Sequence, residues 1–247
     1  MLRLTVKILA LGCGLLCHGL FATGIGLMAL SLYRGMQIGW GPLHGGAAWA
    51  TNMLLVLQFP LLHSLLLTDR GRSWLGKDLA TTSFVIVAAG QLCLTFGLWS
   101  PSGVVWWSAQ GAIRWLLTGL FAAAWLLLGK AMADAGLSLQ TGTLGWWSVF
   151  CGRKPRYPPM PTTGLFTFSR QPIYLAFTLT LWSGPVWSPD QLLIASVWSC
   201  YCLIGPLHKE RRFRRYFGEQ FIAYQQQAPY WLPRPPRRRN DVHDRAQ

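Results

Sequence analysis

The sequence predicts an all-α, polytopic transmembrane protein with four full spans, a short helical hairpin and a C-terminal interfacial amphipathic helix. Three observations predict it. Charged residues make up only 12% of the chain while 52% of it is hydrophobic, against roughly 25% charged in ordinary soluble domains. Apolar runs of about 20 residues, the length a helix needs to cross a hydrocarbon core, recur through the first half. The cations gather in alternate connections between those runs.

The spans follow in order. Leu4 to Leu32, Ala47 to Leu67, Leu79 to Trp99 and Ile113 to Met132 are apolar stretches bounded by polar or glycine-rich connections. The start, "MLRLTVKILALGCGLLC", has the basic and apolar pattern of a signal peptide. Its apolar run continues to Leu32 without a strong cleavage pattern before Cys13, so it reads as an uncleaved first helix. The later runs are shorter: Ile173 to Trp187 and Leu192 to Leu207, with Ser188, Pro189 and Asp190 between them. At ~1.5 Å per residue the first of these reaches only about 22 Å, which predicts a tilted or partly inserted hairpin.

The net charge of +14 is explained by topology. With the amino terminus inside and the segments alternating, Arg34 and Arg114 alone among the 22 lysines and arginines fall outside. That is a strong positive-inside signal, and it accounts for the charge without nucleic acid. The expected location is a bacterial inner membrane with both termini cytoplasmic. The last stretch, "RPPRRRNDVHDR", is proline-rich and basic, a disordered tail with affinity for anionic lipid headgroups.

Neither CxxC nor HExxH occurs, and the six cysteines form no framework, so no metal site is expected. GxGxxG and Walker patterns are absent too. Polar residues within the first half are few: His18, Gln58, His63, Gln91, Gln110 and Arg114. In "LQFPLLHS" the economical expectation is that Gln58 and His63 bond across helices while Pro60 kinks the span.

The second half differs. "CGRKPRYPPMPTTGLFTFSRQPIY" runs from Cys151 to Tyr174 with five prolines, too polar to face lipid and long enough to be a functional loop. After Leu207, the residues Phe213, Tyr216, Phe217, Phe221 and Tyr224 recur at helical spacing beside a cationic face, which predicts the interfacial helix. Three regions follow: 1–133, four transmembrane helices; 134–233, the loop, hairpin and amphipathic helix; 234–247, the basic tail. The polar segments of the middle region meet at one membrane face, where a pocket has a wet mouth and a greasy floor.

"TTGLFTFSRQPIYLAF" followed by a hairpin and "KERRFRRYFGEQFIAYQQQAPYWLP" resembles the carboxy-terminal half of the integral-membrane methyltransferases typified by isoprenylcysteine carboxyl methyltransferase. Those carry G-x-Y-x-x-x-R-H-P-x-Y and later E-E-x-x-L-x-x-x-F-G-x-x-Y-x-x-Y. "LQFPLLHSLLL" resembles the corresponding stretch of bacterial methanethiol S-methyltransferases and NnrU-like proteins. The clear similarity covers about Thr162 to Pro233, with a fainter echo from Gln58 to Pro101.

The resemblance implies an enzyme that uses S-adenosylmethionine to methylate a lipophilic or small thiol or carboxylate. It implies a cofactor site of Gly164, Phe166, Arg170, Gln171, Pro172, Tyr174 and Glu210, with Arg170 and Gln171 at the chemistry. A sulfonium is favoured by aromatic faces such as Tyr174 and Phe166, its carboxylate end by Arg170, and its ammonium by Glu210. Two departures stand out: Gln171 replaces the family's histidine and Lys209 its first glutamate. Glutamine cannot shuttle a proton near neutral pH. A membrane protein that keeps the fold with a degenerate site is the alternative.

Overall fold

The computed structural model describes residues 2–234, with side chains from Leu4 onward. The basic tail expected at 234–247 therefore lies, beyond Arg234, outside the described residues. The chain begins with α1 (Leu2–Tyr33), α2 (Gly45–Leu66), the short α3 (Asp69–Trp74) and α4 (Ala80–Gly97). Strand β1 (Trp107–Ser108), α5 (Gly111–Asp134), α6 (Leu137–Gln140) and α7 (Thr143–Phe150) follow. A 3₁₀ turn (Gly164–Thr167), α8 (Pro172–Trp182), β2 (Val186–Trp187), α9 (Pro189–Phe217) and α10 (Glu219–Gln227) complete it.

Helices α1, α2, α4 and α5 coincide with the four expected spans, and α9 makes a fifth helix long and apolar enough to cross a membrane. The expected hairpin is unequal: α8 has 11 residues and α9 has 29. Helix α9 joins the hairpin's second arm to the first part of the amphipathic segment, running straight through Pro206. A membrane helix tolerates such a proline because neighbouring groups take up the freed carbonyl. What ends the helix is Gly218, whose φ of +49° and ψ of −125° lie where side chains are disfavoured. The chain turns there, and α10 folds back.

Both arms start as the sequence chemistry dictates. Pro172 and Pro189 each sit in a first turn, where the missing N–H costs nothing. Ser188 caps α9 by accepting from the Gln191 amide at 2.9 Å. Gln171 stands at the cap position of α8 but makes no capping bond with its side chain.

The main core lies between α1, α2, α4, α8 and α9, around Met28, Val56, Phe96, Leu181 and Trp198. Trp198 donates to the Val56 carbonyl at 2.9 Å. The economical expectation for Gln58 holds: it donates to the Gln91 carbonyl at 3.2 Å and to Thr95 at 3.0 Å, joining α2 to α4. His63 does otherwise. Its ring packs against Phe59, Phe84 and Tyr201, and its Nδ1 has no partner.

One end of the bundle is sealed by connections. Strands β1 and β2 pair Trp107 with Trp187. Asp190, 1% exposed, accepts from Gln37 at 3.0 Å, Trp99 at 3.1 Å, and the Ser102 amide at 3.1 Å and hydroxyl. A carboxylate so deeply placed persists only with such donors. The opposite end carries α3, the loop before α8, and the basic turn of α9, joined by Arg215 to Asp69 and by Arg212 to the Leu67 carbonyl at 3.1 Å.

Candidate active site

The site is built where the long loop enters α8. Ser169 donates to the Trp231 carbonyl at 2.8 Å and accepts from the Gln171 amide at 3.1 Å, while the Arg170 amide donates to the Pro229 carbonyl at 2.9 Å. The loop head is thus stitched to the segment after α10.

Arg170 and Glu210, 11% and 9% exposed, pair directly. Arg170 Nε donates to Glu210 Oε1 at 2.8 Å and Nη2 to Oε2 at 3.3 Å. Its Nη1 donates to the carbonyls of Gln225 at 3.1 Å and Ala228 at 2.6 Å. Glu210 also accepts from Gln171 Nε2 at 2.9 Å and Gln225 Nε2 at 2.7 Å. Two charges taken out of water are tolerable because these bonds satisfy what the pair alone would leave open. Gln171 is 1% exposed, and its Oε1 has no partner.

A second layer supports this one. Phe166, Met160, Phe221, Tyr224 and Ala228 pack as a separate cluster, with Phe213 and Phe217 against it. Of the aromatic stripe read as interfacial, Phe213, Phe217, Phe221 and Tyr224 therefore turn inward onto the loop, because the reversal at Gly218 puts α10 beside it, while Tyr216 stays exposed beside Arg72. Tyr224 donates to the Phe166 carbonyl at 2.7 Å. Burial pushes the Tyr224 phenol above its ordinary range, and Tyr230, over which Arg170 lies at 5.6 Å, is raised for the same reason.

Gly164 has φ +61°, and a Cβ there would fall 2.3 Å from Asp134 Oδ2. That carboxylate accepts from the Leu165 amide at 2.9 Å. Gly164 and Phe166 thus fix the loop against α5 and α10. The group that converges is Arg170, Gln171 and Glu210, with Pro172 starting the helix behind them.

Beside this group opens a cleft of about 500 Å³ between the end of α2, Tyr174 of α8, and α9. Leu61, Leu65 and Tyr201 give it apolar and aromatic walls, and Lys209, Arg211 and Arg212 give it positive charge. Its one carboxylate among the described lining residues, Asp69, is held by Arg215 at 2.9 Å through both oxygens. Lys209 Nζ lies 5.6 Å from the rings of both Tyr174 and Phe213, and 3.5 Å from the Arg170 carbonyl. The pocket expected from sequence was to include the proline-rich loop, whereas this cleft is lined by the end of α2, α3, α8 and α9, with the loop behind it.

Sequence reasoning missed Gln225, Ser169 and Asp134, and saw Lys209 only as a departure. Gln225 is 15 residues from Glu210, and the signal for it was Gly218, the one residue between the two aromatic runs able to fold α10 back.

No family model and no solved structure matches the chain. Curated relatives do. A methanethiol S-methyltransferase 1 from Bradyrhizobium diazoefficiens is 27% identical over 187 residues, 74% of this chain and 66% of that one, so this chain spans just under two thirds of that relative's length. A methanethiol S-methyltransferase from Pseudomonas sp. (strain GM41(2012)) is 27% identical over 222 residues, 87% of this chain and 82% of that one. Nurim of Mus musculus is 25% identical over 207 residues, 76% and 75% of the two chains. The chain is thus an integral membrane relative of the methanethiol S-methyltransferases and of nurim, consistent with the isoprenylcysteine carboxyl methyltransferase-like group that its carboxy-terminal half resembles.

Proposed function

We propose that the protein transfers a methyl group from S-adenosylmethionine to a small thiol, with the charged end of the bundle facing the cytoplasm. The observation that carries this reading is the convergence of Arg170, Gln171 and Glu210 beside a cleft with apolar walls and a cationic rim. The relatives' names support the reaction type and the thiol.

The residues fit the donor. Gln171 Oε1 is a buried acceptor with no partner, suited to an ammonium or hydroxyl. Tyr174 and Tyr201 offer aromatic faces to a sulfonium, and Arg170 and Glu210 would meet the charges of its amino-acid end by exchanging bonds they now make within the protein. Gly164, Phe166 and Pro172 hold the loop that presents them. When bound, the donor supplies an activated methyl. The protein's own part is to align the acceptor and exclude water.

A second reading, a membrane protein that keeps the fold without the reaction, is favoured by one observation. All three guanidinium nitrogens of Arg170 and both oxygens of Glu210 are already bonded within the protein. Calorimetry of S-adenosylmethionine binding to purified protein in detergent separates the two. Binding together with thioether formation from a small thiol is the expected result; absence of both would leave the second reading.

A further inference from the structure

A thiol acceptor has to lose its proton, and the residue at the head of α8 cannot take it. The thiolate is the nucleophile, and an ordinary thiol with a pKa of about 8.5 is only a few per cent ionised at pH 7. Gln171 has no useful basicity. Arg170 is spent on Glu210 and two carbonyls. Lys209 is different: its ammonium has three donors, yet among the described residues its hydrogen bonding amounts to a single 3.5 Å contact with the Arg170 carbonyl. The side chain lies between the rings of Tyr174 and Phe213 on the wall of the cleft.

We propose that Lys209 holds the methyl acceptor in the cleft as its thiolate, and so supplies the charge that Gln171 does not; the inference rests on the methyltransferase reading above. The surroundings favour an anion from every side. On α9, Glu210 is engaged by Arg170, Gln171 and Gln225, while Arg212 adds positive charge and His208 and Arg211 line the same cleft. From the loop before α8 comes the Arg170 guanidinium, from α8 the Tyr174 phenol, and from α9 the Tyr201 phenol. At the start of α3, Asp69 is closed by Arg215. An opposite charge within ~4–6 Å lowers an acid's pKa by roughly one to three units. The glutamate that the resemblance leads one to expect at this position would repel a thiolate, so the departure acquires a purpose. In the transfer the thiol proton leaves to solvent, the thiolate lone pair forms the new S–CH₃ bond, and the donor sulfur keeps the electron pair of the bond that breaks.

The test uses the full chain in detergent with thiophenol, whose thiolate absorbs at longer wavelength than the thiol, and needs no methyl donor. Absorbance titration should show bound thiophenol ionising about one unit or more below its midpoint in detergent alone. Lys209→Met should abolish that shift and Lys209→Arg should keep it, each variant being checked for a monodisperse elution profile. In methyl transfer to an alkyl thiol of ordinary acidity, kcat/KM at pH 7 should fall about tenfold in Lys209→Met and recover toward pH 9, as that thiol ionises unaided. An unshifted midpoint, the same midpoint in native protein and Lys209→Met, or no binding of thiophenol would overturn the proposal. A shifted midpoint without donor binding would sink the methyltransferase reading and leave the thiolate site standing. Methyl transfer with an unshifted midpoint would do the reverse.

Discussion

Arg170 and Glu210, forty residues apart in sequence, face each other through two parallel hydrogen bonds of 2.8 and 3.3 Å. The pair ties the loop before α8 to the basic end of α9, and through Gln225 to α10. Removing either partner leaves the other charged and buried, which typically costs about 3–5 kcal/mol. Arg170→Ala and Glu210→Ala should each lower the melting temperature in detergent and weaken donor binding by about ten- to a hundredfold. The double variant Arg170→Met, Glu210→Met should recover much of the stability and none of the binding. Equal binding in all three would place the donor elsewhere.

Gln171→His tests the other departure. An imidazole N–H can replace the amide donor to Glu210, so stability should change by less than about 1 kcal/mol. If a base at this position assists the reaction, the variant gains thiol transfer below pH 7 relative to the native protein. Superimposable pH profiles from 6 to 9 would assign the side chain to hydrogen bonding alone.

Gly164→Ala should destabilise the protein by about 1–3 kcal/mol, since it forces a side chain into a left-handed backbone and into the Asp134 carboxylate. Gly129→Ala, where a Cβ would meet nothing within 4 Å, is the control and should be neutral or slightly stabilising. Thermal unfolding of both reads the difference. A Gly164 variant as stable as the control would mean that the loop is not held at this point.

Orientation is open to cysteine labelling on a background without native cysteines. An impermeant maleimide should reach a cysteine at Asp78 from the cytoplasmic side and one at Ser102 from the other. Ser102 belongs with Asp190 to the sealed end, and Asp69 with Arg215 to the charged one. Labelling of both from the same side would refute the alternating arrangement.

The four long spans were legible because each is a continuous apolar run bounded by polar turns, and length alone identifies such a helix. The ends of α9 were harder to read. Its composition changes from apolar to cationic near Leu207, and a change of composition resembles a boundary although the backbone need not stop there; Gly218 was the true one. Arg170, Gln171 and Glu210 were named from the motif and do meet in the structure, but spacing gave no sign that the two charges would spend their bonds on each other. That depends on Gln225 and Ala228 arriving from a helix that folds back. Lys209 was read against a family pattern as a lost carboxylate, and its place between two rings on the cleft wall was not legible from that pattern.

The reversal at Gly218 also makes the site depend on α10, the last helix of the described residues. Arg170 precedes Ala228, whose carbonyl it uses, by 58 residues. A chain interrupted between Phe217 and Gln225 would carry the five long apolar helices yet leave an arginine partly unanswered and an aromatic face of α9 uncovered. Both gaps close only when α10 folds back, so one reversal completes the hydrogen bonding of Arg170 and the packing of α9 together.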